Sequence, residues 1–131
     1  MKIPIRAIVF ATVLTVSLSL LAVFAEAQTG KTKTVRFARG KSSAVLKGAA
    51  VRGTSDRYIV SAKKGQTMRV KITSLEKNAN FTVYFAGEQE SLAGSEEATD
   101  WKGNLSDDNS YVIVVAPTRG NAAYTLSVAI Y

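Results

Sequence analysis

From Asp56 to Ile72 the chain reads DRYIVSAKKGQTMRVKI. The second half alternates without a fault: Met68, Val70 and Ile72 fall on one face, Arg69 and Lys71 on the other. A period of two belongs to a β-strand with one dry face and one wet face. Tyr58, Val60 and Ala62 share a face in the same way before the Lys63-Lys64-Gly65 turn. The stretch reads as a hairpin of two short strands and sets the class as all-β.

The rest of the chain repeats this grammar. Strands are expected at 34–38, 43–51, 57–62, 66–74, 80–85, 100–105, 110–116 and 122–131, separated by polar and glycine-bearing turns. Eight short strands at this spacing make a sandwich or a barrel. The YVIVV run from Tyr111 is apolar on both faces, as a central strand would be. Gly48-Ala49-Ala50 inside the second strand points to a bulge or to a close approach by a neighbour. The longest loop, 86–99, is rich in Gly, Ser and Glu and has no apolar period, so it is expected to be exposed and mobile.

The start of the chain is a different object. Lys2 and Arg6 precede an apolar run from Ala7 to Phe24, and Ala25-Glu26-Ala27 offers small residues at the two positions a signal peptidase needs. This reads as a secretory signal peptide over 1–27, leaving one domain over 28–131 with no membrane span of its own. The domain contains no Cys, so it stands without disulfides, which favours a bacterial periplasmic or secreted protein over an animal one.

Composition narrows the chemistry. The chain has no His, which removes the commonest general base, the usual nucleophile pairs and ordinary zinc sites. Charge is divided: residues 28–77 carry 13 basic side chains against two acids, and residues 78–131 two against seven. The basic half suits an acidic partner or an anionic envelope surface, and no nucleic-acid motif accompanies it. The basic residues around the first strand, Lys31, Lys33, Arg36, Arg39 and Lys41, are also expected to guard an edge strand against aggregation.

Three groups are candidates for function. The acids Glu88, Glu90, Glu96, Glu97, Asp100, Asp107 and Asp108 could hold a hard cation or work as a carboxylate pair, but they lie in or beside a loop and match no calcium spacing. Trp101 and Tyr84 could stack on a sugar or anchor an interface, Trp101 with the stronger claim to capping the core. Arg119 is the only basic residue after Lys102, and it sits in a short turn between two well-defined strands. An arginine fork held there can pair bidentately with a carboxylate.

The segments VRFARGKSSAVLKG, DRYIVSAKKGQTMRVKI, ATDWKGNL and SYVIVVAPTRGNAAYTLSVAI together resemble a bacterial envelope family that includes the inhibitors of g-type (goose-type) lysozyme. More loosely, they are similar to β-sandwich domains found C-terminal to secreted bacterial peptidases. The likeness covers Val35 to Ile130, and YxxxAKKGQ is its most specific piece. It implies an antiparallel eight-stranded β-sandwich in the periplasm, with no enzymatic activity and no cofactor. It also implies a protein partner, a g-type lysozyme, whose substrate cleft is plugged by loops at one end of the sandwich. Residue by residue, it implies contact through Thr118 and Arg119; the neighbouring loop residues Asn121 and Thr54, and the aromatic Trp101, are further partner-binding candidates. The chain differs from those inhibitors in a shorter loop after Arg119 and in having Thr54, not an aromatic residue, after Gly53. The alternative reading is a glycan or envelope-binding module without inhibitory activity, using Trp101, Tyr84 and the basic face.

Overall fold

The computed structural model describes residues 30–131; the expected signal peptide and its cleavage point lie outside the described residues. Eight strands build two four-stranded sheets. In chain order they are β1 (Thr32–Thr34), β2 (Ser43–Ala50), β3 (Asp56–Ala62), β4 (Thr67–Ser74), β5 (Ala79–Phe85), β6 (Asp100–Asn104), β7 (Asn109–Pro117) and β8 (Ala122–Ile130). One sheet has the order β1-β3-β7-β5 and the other β2-β8-β4-β6. The result is an all-β sandwich with no helix among the described residues.

The alternation sets which side chains meet. Tyr58, Val60, Phe81, Val83, Tyr111, Ile113 and Val115 face inward from the first sheet. Met68, Val70, Ile72, Leu126 and Val128 face inward from the second, and all of these are buried. β7 lies between β3 and β5, as its two apolar faces predict.

Three expectations are corrected. The segment 56–72 is not a hairpin: β3 pairs with β1 and β7, and β4 pairs with β6 and β8 in the opposite sheet. The Lys63-Lys64-Gly65 turn is an arch between layers. Its Gly65 has φ 88° and donates its N–H to the carbonyl of Leu105 at 2.9 Å. Both strands have a dry face, and crossing the sandwich lets the two dry faces enter one core from opposite sides. Sequence alternation is identical for a hairpin and an arch.

The pairing is antiparallel as expected in every case but one, β1 running parallel to β3. The first strand is also shorter and earlier than expected. Beyond Thr34 the chain leaves the sheet to cross to β2, with Val35 buried and Phe37 packed against the core on the way.

The 86–99 segment is not a free loop. It lies along the outer edge of β5 through bridges at Tyr84–Ser91 and Phe81–Ala98. The Ser95 hydroxyl is fully buried, accepting from Val83 N–H at 3.3 Å and lying 2.7 Å from the Leu92 carbonyl. Edge strands left bare invite pairing with other chains, and this segment covers one.

Candidate partner-binding surface

Three connections come together at one end of the sandwich: 51–55 between β2 and β3, 75–78 between β4 and β5, and 118–121 between β7 and β8. Their proximity follows from register. Ala50 pairs with Ala122, Asp56 with Val115, Ser74 with Tyr124 and Ala79 with Pro117.

Asn78 holds two of these connections together. Its side chain is buried, and its amide donates to the carbonyls of Arg119 at 3.1 Å and Asn121 at 3.0 Å. Its own carbonyl accepts from Thr118 N–H at 2.8 Å, and its N–H donates to the Ser74 hydroxyl at 2.9 Å. The third connection is tied in through Asn121, whose side-chain oxygen accepts from Arg52 N–H at 2.9 Å. Gly53 and Gly120 have φ of 80° and 56°, the left-handed region that glycine enters without a steric cost.

Arg119 is exposed, and its guanidinium donates to the Glu76 carbonyl at 2.5 Å. That bond uses one N–H of five and leaves the rest of the fork toward solvent. Arg52 and Lys77 are also exposed at this end, against a single acid, Glu76. The end is therefore positive, and its arginine is held at the guanidinium by the Glu76 carbonyl and at its own carbonyl by the Asn78 side-chain amide.

A polar network lies directly beneath. Tyr124 donates its hydroxyl to Asp56 Oδ2 at 2.6 Å and is in turn hydrogen-bonded by the Tyr58 hydroxyl. Asp56 Oδ1 accepts from Lys31 N–H at 3.2 Å, which fastens the segment entering β1. Burial, followed by the bonds to Asp56 and Tyr58, pushes the Tyr124 phenol well above the ordinary tyrosine range. The network is satisfied, with no buried side-chain polar atom lacking a partner among the described residues.

Gly48 explains how Tyr124 fits. The two residues are paired across β2 and β8, and the tyrosine hydroxyl occupies the space a Cβ at 48 would need. The register through Gly48 is continuous, so the glycine marks a close approach and not a bulge.

Of the residues singled out from sequence, Thr54, Thr118, Arg119 and Asn121 lie in this loop cluster. Thr54 is turned back on its own loop, with its hydroxyl donating to the Val51 carbonyl at 2.7 Å. Trp101 is elsewhere. It is opposite Val70 on β6, is 9% exposed, and donates its indole N–H to Ala93 at 3.0 Å. Its ring folds over Gly103. It is thus covered by the 86–99 segment. The acids of 86–108 do not converge: no three acidic side chains form a cation site among the described residues.

Sequence reasoning passed over Asn78 and Asp56. Asp56 was legible, because the alternation that points Tyr58, Val60 and Ala62 inward also points residue 56 inward. Asn78 left no such signal, since a polar residue before a strand is ordinary turn chemistry.

Fold and surface together define a small all-β sandwich that presents a rigid, positive loop cluster at one end. Solved structures match it over nearly their whole length, among them the following. The periplasmic inhibitor of g-type lysozyme from Aeromonas hydrophila, PliG, is 34% identical, with 79% of this chain and 100% of that one covered at a TM-score of 0.67. A mutant of the Escherichia coli PliG is 26% identical over 78% of this chain and 99% of that one, TM-score 0.64. The pre-peptidase C-terminal domain of a Bacillus anthracis collagenase, 14% identical over 79% and 96% with a TM-score of 0.53, shares the fold alone. No family model and no curated protein matches the chain. The chain belongs to the PliG family of periplasmic inhibitors of g-type lysozyme.

Proposed function

We propose that this protein is a periplasmic inhibitor of a g-type lysozyme and that the loop cluster around Arg119 enters the enzyme's substrate cleft. The observation that carries the reading is the match, at 34% identity, to the whole of a PliG inhibitor. The cluster's construction supports the finer part. Glycan-cleaving sites contain carboxylates, and Arg119 offers a cationic fork on a loop held by Asn78. A loop fixed before binding loses less conformational freedom on association, so more of the contact energy appears as affinity.

Nothing in the inhibitor role requires catalysis by this chain. The glycan-module alternative loses its main stacking residue, because Trp101 is covered by the 86–99 segment. The test is a titration of peptidoglycan clearing by a g-type lysozyme against the purified chain from Gln28 onward. Stoichiometric inhibition at micromolar protein or below supports the reading, and undiminished clearing rejects it.

A further inference from the structure

The outer face of the β2-β8-β4-β6 sheet takes no part in the loop cluster. Register arranges its side chains in rows. Lys102, Arg69, Ala129 and Ser43 form one row, Asp100, Lys71, Ser127 and Val45 the next, and Thr73, Thr125 and Lys47 the third. β8 contributes only small side chains to this face. It is therefore the floor of a trough of about 300 Å³, with Arg69 and Lys71 on one bank and Ser43 and Val45 on the other.

The charge on this face exceeds what its own contacts use: Asp100 pairs with Arg69, and the Lys102 ammonium lies 6.0 Å from the centre of the Tyr131 ring. Four cations stand over it with one acid, Asp100, which pairs with Arg69 at 3.3 Å. Lys47, Lys71 and Lys102 form no ion pair among the described residues. Arg69 and Lys102 stand directly opposite each other across β4 and β6. Like charges so placed lower sheet stability. Val45, 66% exposed, adds an apolar bank to the same trough.

We infer that this trough binds a linear anionic polysaccharide. A floor of small side chains along one strand admits an extended chain. Two cations on one bank, Arg69 and Lys71 about 7 Å apart along β4, with Lys47 one row further along β2, suit repeated carboxylate or sulfate groups. The hydroxyls of Ser127 and Ser43 suit a hydroxyl-rich ligand, and Val45 with Ala129 suits the C–H faces of sugar rings. A bilayer fits less well, because the surface is concave. The site opens sideways from the sandwich, so a polymer bound there leaves Arg119 free. The inference does not depend on the inhibitor reading.

The test uses polygalacturonate as the probe, with affinity measured by calorimetry at low salt on the purified chain. The unaltered protein binds, and binding weakens as salt rises. Lys47→Glu with Lys71→Glu weakens it by about tenfold or more. Lys63→Glu with Lys64→Glu changes net charge equally but lies on the arch between layers, and it leaves affinity within about twofold. If the reversed pair unfolds, Lys47→Gln with Lys71→Gln gives the same comparison at smaller amplitude. Absence of binding, or equal weakening by the two charge-matched pairs, overturns the inference. So does binding to phosphatidylglycerol vesicles without binding to the polymer.

Discussion

The side-chain amide of Asn78 donates to the backbone carbonyl of Arg119 at 3.1 Å, from 41 residues away in sequence. A buried group on one connection thereby sets the position of an exposed arginine on another. Asn78→Ala removes this bond and the one to Asn121, and it should cost about 1–3 kcal/mol of stability. Asn78→Asp should cost more, because an acceptor-only carboxylate would face two carbonyls. Urea midpoints at constant m-value check both. Either variant should also weaken inhibition while Arg119 itself is unchanged.

Gly48 and Tyr124 make a second coupled pair. Gly48→Ala drives a Cβ into the tyrosine hydroxyl and should lower stability by about 1–3 kcal/mol. Tyr124→Phe in the same chain removes the oxygen and should return part of that loss. A double-mutant cycle on unfolding free energies reads the coupling, and strict additivity would exclude the clash.

How much of this was legible beforehand depends on the kind of information. Periodicity carried the class, the strand count and the inward residues, because burial on one face writes a period of two into the residues themselves. It could not carry the partners of each strand. Met68, Val70 and Ile72 alternate in the same way whether β4 pairs with β3 or crosses to the other sheet. Arg119 stood out by isolation, and Asp56 by register for anyone following the pattern one residue further. Asn78 acts through tertiary hydrogen bonds to Arg119 and Asn121, which no local pattern encodes. The 86–99 segment looked free because its attachment to β5 is through backbone and one small hydroxyl, Ser95.

Alkaline stability should report the buried network. The folded state holds the Tyr124 proton more tightly than the unfolded chain does, first through burial and then through the bond to Asp56. A group with a raised folded pKa contributes its full share below its unfolded value, near 10 for tyrosine, and loses that share as pH rises beyond it. Stability should therefore fall above about pH 10, by up to about 1.4 kcal/mol per pH unit from this group. Tyr124→Phe should be less stable at pH 7, since the buried Asp56 carboxylate loses a donor, yet show a shallower alkaline limb. Tyr111 is also raised, by burial and then by Asp107, so the limb does not vanish. Denaturant midpoints from pH 7 to 11 decide it.

Trp101 gives an optical test of the covered edge. As the single tryptophan, buried over Gly103 and bonded to Ala93, it should emit at short wavelength and resist quenching by iodide. Peptidoglycan fragments should leave its emission unchanged. Trp101→Ala should cost about 3–5 kcal/mol through the cavity it leaves.

The central claim is that Arg119 is the contact through which this chain blocks a g-type lysozyme. The direct measurement is the inhibition constant of Arg119→Ala against that of the unaltered protein, with Lys64→Ala at the arch as the exposed control and melting temperatures to establish intact folds. The account predicts that Arg119→Ala loses about 2 kcal/mol or more of binding, roughly thirtyfold in affinity, while Lys64→Ala stays within about twofold. An Arg119→Ala protein that folds and inhibits as well as the original would contradict it.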